Sequence, residues 1–295
     1  MLTVTIIGTG RMGGALAIAL TRVGYTIDKF VIRSPRSDLP FSRDINGSPA
    51  VSNWEDLDAI SSELILITTQ DSEIANAANS LKPFVTAGQV VLHTSGSLSS
   101  AALSGLKGTK ASVGSVHPLV AISDAASGAE KFAGSYFCLE GDDEAVAVAR
   151  DIVSNMGGKA FSVDTRFKPL YHAGAVMAAG HVVALLSMSL EMLTKCGIME
   201  TEALEILKPL VKSTFDNCFA VGPERALTGP FARADTETFD HHLKILRETV
   251  NENVLETYLS LAERSLEIAA ERQKQPMRFE NLLEKVLIEK KRTEC

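Results

Sequence analysis

Two basic side chains four residues apart, Lys168 and His172, open an otherwise apolar run, KPLYHAGAVMAAGHVVALLSMSLEML. Residues at that spacing share one face of a helix, and Pro169 suits a helix's first turn. Basic groups in that turn oppose the helix dipole, which favours acids there. A local rule broken once, in a helix otherwise built for burial, marks a functional site. The chemistry open to such a pair is proton transfer: Lys168 as donor to a developing oxyanion or amine, His172 as relay or orienting group. Tyr171 reads as packing. His181, on a largely different face of the same helix, reads as a buried structural histidine.

Three other stretches carry groups that could meet a ligand: ITTQDSEI (67–74), HTSGSLS (93–99) and GSVHPL (114–119). Each follows or ends an apolar run that reads as a strand. Ligands of doubly wound sheets sit outside the C-terminal ends of the strands, which is where Thr68, Thr69, Gln70, His93, Ser95, Gly96 and His117 fall. His117 precedes Pro118, so its backbone is held extended. Histidines and a serine on one rim could bind a carboxylate or move a proton; each histidine alone also fits a structural role, His93 more so than His117.

The elements that must position these groups follow from periodicity. Apolar runs at VTIIG (4–8), DKFVIR (28–33), ELILITT (63–69), QVVLHT (89–94), ASVGSVHP (111–118), SYFCLEG (135–141) and KAFSVD alternate with helical patterns. Continuous Val/Ile/Leu strands separated by helices predict an α/β fold, a parallel sheet covered on both faces. Beyond Asp164 the strand signals stop, and 166–195, 200–219, 236–272 and 278–292 all read as helix. The reading is therefore a Rossmann doubly wound sheet over 1–164 followed by an all-α domain over 165–295.

The first strand runs into Gly8-Thr9-Gly10-Arg11-Met12-Gly13 and then a helix. In a dinucleotide site the first glycine makes the tight turn, the second lets backbone approach a pyrophosphate, and the third lets helix pack on strand; the helix N-terminus then faces the phosphates. At the end of the second strand an NAD site places an acid for the ribose 2′-hydroxyl. Here the residues are Arg33, Ser34 and Arg36, which suit a 2′-phosphate. The expected cofactor is NADP(H).

Composition sets outer limits. The 295 residues are 45% hydrophobic and 22% charged, with a net charge of −7, which excludes nucleic acid as the main partner. Four scattered cysteines, Cys138, Cys196, Cys218 and Cys295, lack metal spacing and read as reduced, mostly buried thiols of a cytoplasmic protein. No metal is expected; His241-His242 lacks the i,i+4 spacing of a two-histidine ligand face. The stretch 173–193 is long enough to span a bilayer, but its His, Ser and Glu favour a helix buried on all sides, as in a dimer interface, over a membrane segment.

The motifs GTGRMGGA, HTSGSLS, GSVHPL, KPLYHAGAV and ALTGPFARADTETFDHHL, in that order, resemble a bacterial family with an N-terminal Rossmann-like oxidoreductase domain and a C-terminal DUF2520 domain. The resemblance covers nearly the whole chain. It implies kinship with pyrroline-5-carboxylate reductases and the 6-phosphogluconate dehydrogenase-like proteins, a helical C-terminal domain that builds a homodimer, and a small carboxylate-bearing substrate, with ketopantoate as the leading candidate. Lys168-x-x-x-His172 resembles the Lys-x-x-x-Asn pair of β-hydroxyacid dehydrogenases, whose lysine transfers the proton. Ser95, Gly96 and His117, placed at the strand ends, are the candidate substrate contacts there; by the resemblance Thr228 lines the substrate pocket, and Arg233 and Asp235 either contact substrate or lock the next helix, whose N-cap by residue type is Asp235 or Thr236. Ala234 stands where relatives often have glycine, a difference that matters only if φ is positive there. The implied reaction is NADPH-dependent reduction of a 2-oxo acid; imine reduction and NADP(H) sensing without turnover are the alternatives.

Overall fold

The computed structural model describes residues 2–33, 39–273 and 276–293. The chain divides into two compact units, Met1–His181 and Val182–Cys295. The division falls later than the 164/165 expected, because the helix that begins at Lys168 folds onto the sheet of the first unit.

That unit holds eight strands: β1 (Thr3–Ile7), β2 (Thr26–Ile32), β3 (Ala50–Asn53), β4 (Leu64–Ile67), β5 (Val90–His93), β6 (Ser112–Pro118), β7 (Tyr136–Gly141) and β8 (Lys159–Phe161). Its helices are α1 (Arg11–Arg22), α2 (Asp71–Leu81), α3 (Ala125–Glu130), α4 (Asp143–Asn155) and α5 (Lys168–Ala178). The strands form one sheet in the order β3-β2-β1-β4-β5-β6-β7-β8. Neighbours are parallel except β6 and β7, which run antiparallel. β4 reads LILI with every residue buried, as a strand covered on both faces must. One core packs Leu16, Ile18 and Leu20 of α1 and Ile152 and Val153 of α4 against the sheet. A second packs Ile74 and Leu81 of α2 with Ile65, Ile67 and Val91. Each such side chain taken from water contributes about 1.5–3 kcal/mol. β3 was not legible in sequence because AVSN is an edge strand, half of it exposed, with no apolar run.

The second unit is helical: α6 (Gly180–Lys195), whose first residues close the first unit, then α7 (Glu200–Val221), α8 (Pro223–Ala226), α9 (Gly229–Arg233), α10 (Thr236–Thr249), α11 (Glu252–Gln273) and α12 (Pro276–Thr293). Phe239, Leu243, Leu246, Leu259, Leu266, Phe279, Leu282 and Val286 make its core. The segment expected as one helix over 236–272 is two. Asn251 breaks it by accepting from the Val254 N–H, the hydrogen bond of an N-cap.

The apolar run over 166–195 likewise breaks, at Ala179 (φ −123°, ψ −68°). Thr165–Lys195 is long and apolar enough to cross a membrane by length and composition. The expectation of burial on all sides is not met within one chain: only Lys168 of α5 and no residue of α6 is buried. His181, expected in a core, is exposed. The described cysteines also depart from expectation, since of these Cys138 alone is buried while Cys196 is exposed and Cys218 half-buried; Cys295 lies outside the described residues.

Candidate active site in the first unit

The strand order reverses around β1 and β4, where β1 pairs with both β2 and β4. A cavity of about 400 Å³ opens there, lined by Gly8, Arg33, Trp54, Thr69, Gln70, Glu73 and Asn76 among others. Gly8 has φ +94°, and a Cβ on Gly13 would lie 2.3 Å from the Gly8 carbonyl oxygen. Both positions therefore require glycine. A Cβ on Gly10 would meet nothing within 4 Å, so its backbone stands open to a ligand. The Thr68 hydroxyl donates to the Gly8 carbonyl (2.8 Å) and locks the turn. Next to it, the Thr69 hydroxyl is buried without a hydrogen-bond partner. A buried orphan polar atom is costly unless a ligand satisfies it. The free backbone, the positive-φ turn and the orphan hydroxyl fit a dinucleotide pyrophosphate on this loop. Thr9 and Met12 are half-buried, Arg11 exposed. Arg33 pairs with Glu73; Ser34 and Arg36 lie outside the described residues.

The far side of the sheet carries a polar row that sequence spacing could not show. Ser115 sits between His93 on β5 and Glu140 on β7, each its register partner. Lys168 closes over the row: its Nζ donates to Ser115 Oγ (2.5 Å) and to Glu140 Oε1 (3.2 Å). Glu140 also accepts from Ser115 Oγ (3.0 Å), from the Ser100 N–H (2.6 Å) and from Ser100 Oγ (2.9 Å). Burial raises the Glu140 pKa, but the Lys168 charge and the Ser100 hydrogen bonds outweigh it and hold the carboxyl below its ordinary value. His93 is fully buried, its Nδ1 accepting from the Ser95 N–H (3.2 Å) and its Nε2 facing the Ser99 carbonyl (3.0 Å). These two bonds fix the Nε2–H tautomer. Burial first, then the Lys168 charge, lowers its pKa to about 4.

The sequence reading makes Lys168 the proton donor; here its side chain is 0% exposed and ion-paired to Glu140, an arrangement that anchors α5 on the sheet. The sequence showed the lysine but not the acid from β7 that holds it.

Two residues further along β6 the polar groups reach open space. His117 Nδ1 is hydrogen-bonded to the Tyr171 hydroxyl (2.8 Å), and the His117 and His172 rings meet edge-on with centroids 5.7 Å apart. Tyr171, read as packing, therefore also reaches His117 with its hydroxyl. Its ring also packs on Phe161, and burial raises its pKa. Burial, reinforced by the His172 and Lys168 charges, lowers His117 to about 4. Gly96 closes the group: a Cβ there would lie 2.5 Å from His172 Cδ2 and 2.7 Å from His117 Nε2. A cleft of about 320 Å³ is lined by His117, His172, Leu119, Val120, Ala175 and Val176 among others. Ser95 does not share in it, because its hydroxyl donates to Asp71 (2.7 Å) and accepts from the Ser97 and Leu98 N–H groups.

Thr228 and Arg233 belong to the second unit, and both are exposed there. Asp235 is the N-cap of α10, accepting from the Thr238 N–H. Ala234 has φ +54° and ψ +47°, the left-handed conformation. His242 pairs with the Tyr258 hydroxyl (2.8 Å). Among the described residues no His, Cys, Asp or Glu side chains gather as a metal-ligand set.

Comparison with solved structures places this fold among others. The "putative NADP oxidoreductase" BF3122 of Bacteroides fragilis superposes with a TM-score of 0.76 at 20% identity, over 90% of this chain and 98% of that one. Protein TM1727 of Thermotoga maritima does so with 0.67 at 25%, over 90% and 98%. Plasmodium falciparum pyrroline carboxylate reductase, with NADP bound, gives 0.59 at 14%, over 91% and 98%. No curated protein matches the chain in sequence. Residues 1–118 match the Rossmann-like domain family and residues 135–265 the domain of unknown function DUF2520. The two matches follow one another along the chain, the Rossmann-like model first and the DUF2520 model after it.

Proposed function

We propose that the protein is an NADP(H)-dependent oxidoreductase that reduces the carbonyl of a small 2-oxo acid of the ketopantoate type. The observation that carries this reading is the pairing, on one sheet, of a glycine-turn cavity holding an orphan hydroxyl with a second cleft faced by His117 and His172. Gly8, Gly10, Gly13 and Thr69 hold the pyrophosphate, and Arg33 is the described cation for a 2′-phosphate. Bound NADPH supplies the hydride. With Tyr171 donating to His117 Nδ1, His117 Nε2 carries a hydrogen toward Gly96 and polarises the carbonyl oxygen. His172 delivers the proton to that oxygen as the carbon is reduced, and solvent then restores it. Lys168 touches none of these atoms; it anchors α5 on Glu140 and Ser115, so that Tyr171 and His172 meet His117.

The same donors would serve an imine, so an imine acid of the pyrroline-5-carboxylate type is the second substrate class. We also propose that a second copy of the chain covers apolar surface of α6 and α7, where Val183, Leu210 and Phe219 are exposed, giving a homodimer. The deciding experiment follows NADPH absorbance with ketopantoate and with pyrroline-5-carboxylate in wild type and His172→Ala. Oxidation lost in the variant supports the reductase and names its branch. Binding of NADPH with no turnover across keto acids and imines would replace it with a sensor of the cofactor.

A further inference from the structure

We infer that Glu73 determines how strongly this protein discriminates a 2′-phosphorylated from an unphosphorylated dinucleotide, a role that rests on the cofactor reading above. Arg33 follows the end of β2, and Glu73 lies in the first turn of α2. Both line the 400 Å³ cavity beside Gly8, and among its described lining residues they are the only charged ones. Their side chains are paired across it.

Each half of the pair favours a different ribose. A guanidinium recruits a phosphate dianion through charge-assisted hydrogen bonds. A carboxylate repels that dianion but accepts from a 2′-hydroxyl, the task an acid at the end of the second strand performs in NAD sites. This chain has Arg33 at that strand end, and the acid arrives instead from α2. A 2′-phosphate must therefore replace Glu73 as the partner of Arg33 and then lie beside a displaced carboxylate. The Arg33 side chain is 71% exposed and that of Glu73 32%; exposed pairs of this kind are weak and open readily. Glu73 consequently tempers the preference for the phosphate that Arg33 creates. The other acid of that turn, Asp71, does not share the role, because it is taken by the Ser95 hydroxyl.

The test is direct binding by the full-length protein. Trp54 lines the same cavity and is the only tryptophan, so its quenching and energy transfer to reduced nicotinamide read occupancy without turnover. NADPH and NADH are titrated into wild type, Glu73→Gln and Arg33→Ala at low and high salt. The inference expects Glu73→Gln to raise the NADPH-to-NADH affinity ratio about five- to tenfold, Arg33→Ala to lower it by a similar factor, and both effects to shrink in salt. An unchanged or lowered ratio in Glu73→Gln, with wild-type binding intact, overturns the role of Glu73 and leaves the cofactor reading standing. Failure of wild type to bind either nucleotide sinks the cofactor reading and this inference together.

Discussion

Lys168 Nζ lies 3.2 Å from Glu140 Oε1, and the two side chains are 0% and 7% exposed. An ammonium and a carboxylate taken this far from water hold one another in place, and removing one strands the other. Lys168→Met should therefore destabilise the protein by about 3–5 kcal/mol, seen in urea unfolding. Glu140→Gln in the same background should recover part of that loss, giving a clear coupling in the double-mutant cycle. A Lys168→Met protein of wild-type stability and no turnover would instead return the lysine to proton donor.

Acid should loosen the first unit before it protonates the carboxylates. His93 and His117 both titrate near 4 in the folded chain, against about 6.5 when unfolded. Between those values the unfolded chain binds the extra protons, so stability is full above pH 6.5 and falls as pH drops toward 4. Each histidine contributes a slope of about 1.4 kcal/mol per pH unit. Unfolding midpoints at pH 7.5, 6 and 5 should show this decline, and His117→Gln should remove about half of it.

Gly96 is the position where a single methyl group should separate chemistry from nucleotide binding. A Cβ would press on both His117 and His172, while Gly8, Gly10 and Thr69 would be untouched. Gly96→Ala should lower kcat by about 10²-fold or more, the scale of a lost general acid, with NADPH affinity within twofold of wild type. Equal losses in kcat and in NADPH affinity would place Gly96 in the cofactor cradle instead.

Ala234 pays a conformational cost at the end of α9. Its left-handed φ of +54° costs an L-residue about 1–2 kcal/mol, which glycine avoids. Allowing for the extra chain entropy of glycine, Ala234→Gly should stabilise the protein by about 0.5–1 kcal/mol, read as a raised Tm. A lowered Tm would mean that the Ala234 methyl, packed against the α10–α12 core, contributes more than the strain.

What sequence alone determined were the features written in local pattern. The glycine turn, seven of the eight strands and the helical second half follow from periodicity and from glycine's freedom at positive φ, both properties of neighbouring residues. So does the Asp235 cap. Cross-strand register decided the rest. Glu140 meets Lys168 because antiparallel β7 brings it beside Ser115, and Tyr171 meets His117 because α5 lies on that same face. Glu73 reaches Arg33 across 40 residues of chain. Whether a charged group faces a ligand or a buried counter-ion depends on partners far away in sequence. The chain therefore announced its chemically competent residues, and only the tertiary structure chose which of them are open to react.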